Sequence, residues 1–329
     1  MDFSDNIQRL QPSATIAVSS LAKQLKAEGR DIINLGAGEP DFDTPAWISE
    51  AGIQGIRDGK TRYTPAPGTP QLRQAIANDL QRRFGKETDW NGVVVSNGAK
   101  HSLFNACFCL FGSGDEVLVA SPYWTSYPQM VTLSRAEPVF VAGPEDRDFL
   151  LTPKELDAAA SDRTRGLILC SPSNPSGGVY TLSQLREVAE WARDRGVWLL
   201  ADEIYRNINF AGDGPSAGIL DLPQDSLGPF VLIDGVSKAF AMTGWRVGFT
   251  YSHVDLAKKM SAFQSHTTSN PSSPAQEAAL AAYVDTEKAD AEVARMVEAF
   301  RRRRDLVTRL FDELLPGLPY VKPNGAFYL

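Results

Sequence analysis

The sequence predicts an α/β sandwich built on a mostly parallel central sheet. Three observations carry that expectation. From residue 92 onward, short apolar runs alternate with segments of helical period. Most of these runs end in a turn rich in Gly, Pro, Ser or Asn, or in a carboxylate, where an open parallel sheet offers the carboxyl ends of its strands to a ligand. With 329 residues, 43% of them hydrophobic, the chain can bury a sizeable core in one large or two ordinary domains.

The elements follow in order. After a polar lead, residues 15–28 read as a helix stopped by Gly29. Ile32-Ile33-Asn34-Leu35 reads as a short strand running into Gly36-Ala37-Gly38-Glu39-Pro40. That loop is either a plain strand-to-helix turn or a place where Gly38 brings its backbone N–H to a ligand. Residues 45–58 read as a helix, and residues 61–68 as an extended segment stiffened by prolines. Thr69-Pro70 supplies N-cap and N1 for a helix spaced by Leu72, Ile76, Leu80 and Phe84.

Val93-Val94-Val95 reads as a buried strand, and the turn Ser96-Asn97-Gly98-Ala99-Lys100 feeds a helix to Phe111. Free N–H groups at such a helix start attract an anion. The three-glycine dinucleotide spacing and the P-loop pattern are both absent. Further strands read at 117–119, 138–141, 166–170 and 197–201, with helix starts at Thr152-Pro153 and at the capping box Thr181–Gln184. Trp124, just past one strand, is either core or a platform for a planar ligand. Asp202, at the end of another, is a helix cap, a surface acid, a salt-bridge partner or the partner of a protonated ring nitrogen.

Residues 231–251 hold two apolar runs around Gly235-Val236-Ser237-Lys238 and Arg246. Burying a cation is costly unless it is paired, neutralised or covalently used. A lysine can lose its proton and act as an amine nucleophile, whereas an arginine needs an anion. The alternative is two strand-end cations facing water. Helices then read from 255, over 272–283 and over 287–315, before Pro323-Asn324-Gly325-Ala326-Phe327-Tyr328-Leu329. Gly98, Trp124, Asn174, Asp202 and Lys238 all fall at predicted strand ends, and that convergence favours one ligand site over five separate structural roles.

A net charge of −7 without a basic stripe argues against nucleic-acid binding, and Arg301 to Arg304 sit in a charge-mixed helix as a solvated or interface face. Cys107, Cys109 and Cys170 lack metal spacing and read as buried thiols of a reducing compartment. No secretory h-region or membrane-length apolar run appears, so a cytoplasmic protein with no membrane partner is expected.

Nine segments then form a recognisable series: PSAT (12–15), LGAGEPDFDTP (35–45), YTPAPGTPQLR (63–73), SNGAKHSLFN (96–105), GDEVLVASPYWTSYP (114–128), SPSNPSGGVY (171–180), ADEIY (201–205), VSKAFAMTGWRVGF (236–249) and PNGAFYL (323–329). In this order, over nearly the whole chain, they resemble the class I, fold-type I pyridoxal-phosphate aminotransferases, in the bacterial aspartate aminotransferase branch. The resemblance implies a three-layer sandwich with a mostly parallel sheet plus a small α+β domain. Residues 1–45 would contribute to the small domain, 46–285 would form the large cofactor domain, and 286–329 would start the C-terminal small domain.

It also implies pyridoxal 5′-phosphate as cofactor. Lys238 would form the Schiff base, Asp202 would pair with the ring nitrogen, and Tyr205 and Asn174 would bond the ring's phenolic oxygen. Trp124 would stack on the ring. Arg246, Ser237 and the Gly98-Ala99-Lys100 helix start would surround the phosphate. Tyr63 would reach the phosphate of a partner subunit, implying a homodimer with shared sites. Gly38, Trp124 and Asn174 would meet the substrate, with Thr15 and Lys100 at its distal carboxylate. The implied reaction is ping-pong transamination between aspartate or glutamate and a 2-oxo acid, 2-oxoglutarate or oxaloacetate. Prephenate or aromatic amino acids are alternatives, as is a cofactor binder with impaired catalysis. β-Lyase or decarboxylase chemistry is a further enzymatic reading. Cofactor-binding regulators with a DNA-binding module are disfavoured, since residues 1–12 are too short for one.

The resemblance also implies cis peptides before Pro122 and Pro175. Two departures accompany the resemblance. The family pattern continues past PNGAFYL to an arginine that clamps the substrate α-carboxylate, so an incomplete small domain with an uncovered face and weaker substrate binding is expected. Gly235 stands where many relatives place a phosphate-binding hydroxyl, so Ser237 or backbone groups are expected to compensate.

Overall fold

The structure is a computed structural model that describes residues 2–36 and 38–329; Ala37 of the glycine loop lies outside the described residues. Among the described residues, seven strands form one sheet: β1 (Val93–Ser96), β2 (Glu116–Ser121), β3 (Glu137–Ala142), β4 (Thr164–Cys170), β5 (Trp198–Asp202), β6 (Phe230–Gly235) and β7 (Gly248–Ser252), in the order β1-β7-β6-β5-β4-β2-β3. The pairs from β3 through β2, β4 and β5 to β6 are parallel, while β7 runs antiparallel to both β6 and β1.

Alternate strand residues feed two cores, because successive side chains in a strand point to opposite faces. Leu118, Leu167, Leu199 and Leu232 enter one core, with the helices Ala46–Arg57, Pro70–Phe84, Leu182–Asp194 and Ser273–Val284. Val117, Ile168, Leu200 and Val231 enter the other, with the helices Ala99–Leu110, Ser126–Leu133 and Val254–Ser265. Both faces of the central strands are covered by helices, which is why these strands read as continuous apolar runs. Leu118, Leu167 and Leu200 are each fully buried, and truncating such a leucine to alanine typically costs about 2–5 kcal/mol.

Local signals start the helices where expected. Thr69 accepts from the Leu72 N–H, with Pro70 next in line. Thr181 and Gln184 cap each other reciprocally, and Thr152 N–H donates to Glu155 at 2.9 Å. Gly29, at φ +84°, ends the segment that follows the helix Ala14–Ala27. Pro122 and Pro175 are cis, as is Pro172.

Three elements depart from expectation. Residues 32–35 form no strand, and Ile33 and Leu35 are 82% and 90% exposed. An apolar run of four carries no strand without a neighbour to pair with. Asp5–Gln8 is a short helix inside the polar lead. Ser126–Leu133 is a helix that the sequence did not reveal, its apolar period being interrupted by Pro128; in the first turn that proline gives up no helical hydrogen bond.

The chain closes back on the sheet end. After the helix Thr286–Leu314, Asn324 and Gly325 donate to the Gly177 carbonyl, and Ala326 donates to that of Ile208. The arginine run divides. Arg302 and Arg303 make exposed pairs with Glu298 and Asp41, while the largely buried Arg304 donates to the Pro323 carbonyl at 2.7 Å.

Candidate active site

A cavity of about 440 Å³ opens where β5 and β6 end and the helix Ala99–Leu110 begins. Lys238, Asp202, Tyr205 and Ser237 line its floor, and Ala99, Lys100, Trp124, Asn174 and Arg246 line its walls. Thr15 and Gly38 reach it from the N-terminal segment. Two of the expected residues lie elsewhere. Gly98 sits just behind the lining, as N-cap of the helix. Tyr63 is 91% exposed, in a separate cleft with residues 268–274.

Lys238 follows β6 in the short helix Val236–Ala239, and its Nζ donates to the Gly38 carbonyl at 2.6 Å. Burial pushes its pKa down to about 8; Glu39 opposes the shift and Arg246 adds to it. Asp202 is 4% exposed at the end of β5. Tyr127 Oη donates to its Oδ2 at 2.7 Å and the Ile204 N–H to its Oδ1 at 3.3 Å. Burial raises the Asp202 pKa, while those donors and the Lys238 charge oppose the rise.

The other end of the cavity is cationic. Arg246 adopts the left-handed region, φ +59°, and its guanidinium donates to the Thr243 and Asn97 carbonyls at 2.9 and 3.3 Å. It lies against Gly98, where a Cβ would come within 2.4 Å of Nη2. Gly98 has φ +86° and caps the helix with no side chain, so no side-chain oxygen occupies the first N–H groups. Lys100 Nζ lies 4.8 Å above the Trp124 ring, and burial, then the Arg246 charge, lowers its pKa.

Gly235 has no room for a side-chain hydroxyl. A Cβ there would meet Gly248 Cα at 2.7 Å and the Val247 carbonyl at 2.9 Å. Gly248 in turn lies on the Gly98–Ala99 backbone, where a Cβ would come within 2.1 Å of Ala99 N. The glycines let β6, β7 and the helix start close up, and buried Ser237 supplies a hydroxyl at the cavity floor.

Two tyrosines join the site that no sequence signal marked. Tyr127 reaches Asp202, and Tyr328 Oη lies 2.5 Å from Tyr205 Oη. Both fall inside the quoted segments, but linear spacing cannot connect residue 127 to 202 or 328 to 205.

The donor set fits pyridoxal phosphate. Arg246, Ser237 and the open helix start can receive a phosphate. A buried carboxylate can face a protonated ring nitrogen, and a desolvated amine can meet an aldehyde. A mostly parallel sandwich with these groups at its strand ends defines a fold-type I pyridoxal-phosphate enzyme. The chain belongs to the family "Aminotransferase class I and II", whose model matches residues 30–329, and is thus a pyridoxal-phosphate-dependent transferase. It is 41% identical to an aspartate aminotransferase of Geobacillus stearothermophilus, over 100% of this chain and 82% of that protein. It is 42% identical to an aspartate/prephenate aminotransferase of Cereibacter sphaeroides, over 99% and 81%. The structure of aspartate aminotransferase from Thermus thermophilus with maleate superposes with a TM-score of 0.93 at 37% identity, covering 99% of this chain and 84% of that one. Among the described residues, no helix is long and apolar enough to cross a membrane.

Proposed function

We propose that the chain transfers the amino group of an acidic amino acid, aspartate or glutamate, to a 2-oxo acid by a ping-pong route. The observation that carries this is the meeting of Lys238, Asp202 and Tyr205 with Thr15 and Lys100 in one cavity. The first three serve the chemistry. The last two supply a hydroxyl and a cation for a second carboxylate. The relatives' names support the same substrate class, as does the Thermus relative's pairing with maleate, a dicarboxylate.

Pyridoxal phosphate, when bound, supplies an aldehyde that condenses with amines and a ring that takes up the electron pair left at a substrate's Cα. The side chains do the rest. Arg246, Ser237 and the Gly98-Ala99-Lys100 helix start hold the phosphate, and Trp124 covers the ring. Asp202 holds a proton at the ring nitrogen, while Asn174 and Tyr205 Oη bond the ring oxygen. Lys238 Nζ, neutral once deprotonated, would take the proton from the substrate Cα and deliver it to the cofactor carbon that had carried the aldehyde, which leaves the amino group on the cofactor and releases the 2-oxo acid after hydrolysis. Gly38, Asn174 and Trp124 orient the substrate.

Tyr63 stands exposed and apart from this cavity, which supports its assignment to a partner subunit's phosphate in a homodimer. All seven strands lie between residues 93 and 252, in keeping with a large domain at 46–285 flanked by 1–45 and 286–329. Cys107, Cys109 and Cys170 are free thiols, in keeping with a cytoplasmic location. Prephenate is the second substrate reading, supported by the Cereibacter relative's name.

The test is loading with pyridoxal phosphate, borohydride reduction and peptide mapping, followed by assay with aspartate and 2-oxoglutarate. Visible absorbance lost on reduction, a label on Lys238, and oxaloacetate formation are expected. A label elsewhere, or one retained in Lys238→Ala, would sink the lysine assignment. Loading without any transfer from aspartate or glutamate would sink the substrate class.

A further inference from the structure

Tyr205 and Tyr328 place their hydroxyl oxygens 2.5 Å apart at the cavity floor. A phenol has one proton to give. If Tyr205 gives its proton to Tyr328, it has no proton left to offer the cavity. If Tyr328 is the donor, the Tyr205 proton is free to enter it. Either oxygen can be the donor, and the Tyr328 hydroxyl is fixed in place by its surroundings. Its ring meets Tyr205 edge-on at 5.6 Å and packs beside Phe327 at 5.1 Å. Its hydroxyl lies so close to Gly38 that a Cβ there would come within 2.2 Å of it. Gly38 is itself tied to Lys238 through its carbonyl, so the hydroxyl is boxed between Gly38 and Tyr205.

We propose that Tyr328 is a positioning residue: its hydroxyl donates to Tyr205 Oη and thereby turns the Tyr205 proton toward the ring oxygen of the bound cofactor. This rests on the function proposed above, in which Tyr205 bonds that oxygen. A donor that itself accepts a hydrogen bond gives its own proton more strongly. Tyr328 therefore lowers, through Tyr205, the pH at which the bound cofactor loses its proton. The charged and titratable groups facing the pair are Lys238, with Nζ 5.6 Å from the Tyr205 ring centre, Asp202 and Cys170. Burial raises both phenols' pKa values, Tyr328 to about 12, so both stay neutral over the working range.

The test is a pH titration of the visible absorbance of the loaded wild-type protein, Tyr328→Phe, Tyr205→Phe and the double variant. Phenylalanine keeps the ring packing, and circular dichroism verifies the fold. Tyr328→Phe is expected to raise the midpoint by roughly half to one pH unit, the scale of one modest hydrogen bond. Tyr205→Phe is expected to raise it further, and the second substitution to add nothing in that background. An unmoved midpoint in Tyr328→Phe, or an equal shift with and without the Tyr205 hydroxyl, would overturn the proposal while leaving the function standing. A wild-type protein with no borohydride-sensitive absorbance would overturn the function and the proposal together.

Discussion

The Tyr127 hydroxyl donates to Asp202 Oδ2 at 2.7 Å, linking the helix after β2 to the end of β5. Asp202 is 4% exposed, and burial alone disfavours its charge. Hydrogen bonds to charged groups contribute about 1.5–3 kcal/mol. Tyr127→Phe is therefore expected to weaken pyridoxal phosphate binding by about ten- to a hundredfold. Fluorescence titration of the apoprotein measures this, and unchanged affinity would remove Tyr127 from the site's machinery.

Cofactor uptake should depend on pH through Lys238. Its pKa is pushed down to about 8, and only the neutral amine attacks an aldehyde. The neutral fraction, and with it the initial uptake rate, should rise about tenfold from pH 7 to pH 9 and then level off. Absorbance after rapid mixing follows it; a flat profile counts against a titrating Lys238.

Behind the site, burial pushes Glu203 and Asp234 each up to about 7. The unfolded chain releases these protons near the ordinary acid values, so the native state binds more protons between about pH 4 and 7. This contribution to stability is full below that window and is lost as pH rises to about 7. Glu203→Gln should flatten the decline between pH 5 and 8 by up to the order of 3 kcal/mol. Arg206 keeps Asp221 as a partner at 3.1 Å in that variant. Urea unfolding at the two pH values supplies the comparison; an unchanged decline would mean that Glu203 is ionised in the native protein.

Gly38→Ala would set a methyl 2.2 Å from Tyr328 Oη and 3.0 Å from two ring carbons. The loop must move, and the KM for aspartate should rise about tenfold, the scale of a misplaced contact. Adding Tyr328→Phe removes the closest atom and should recover part of the loss. A KM that Gly38→Ala leaves alone would separate this loop from substrate binding.

Gly235→Ser should give no gain in cofactor affinity, because its Cβ meets backbone atoms rather than open space. Forcing β6 and β7 apart should cost about 1–3 kcal/mol of unfolding free energy. Tighter cofactor binding at undiminished stability would contradict it.

The strands and their reactive ends could be read along the chain because those signals are local. A run such as Val93-Val94-Val95 needs only its own composition to declare itself buried, and Thr69-Pro70 or Thr181–Gln184 start helices within one turn. The same locality marked Lys238, Asp202 and Arg246, since each cation or acid stands at the border of an apolar run. Locality also misled: Ile32 to Leu35 has strand composition but no neighbouring strand, and the helix Ser126–Leu133 hides behind Pro128.

Pairing across the sheet is a different matter. Tyr127 meets Asp202, Tyr328 meets Tyr205, and Gly248 lets β7 close on the helix start after β1. Each contact joins residues far apart in sequence, and no periodicity encodes a partner. The types of chemistry are thus written in the residues at the strand ends. Which hydroxyl orients which group follows from strand order and close backbone packing, which exist only once the sheet has formed.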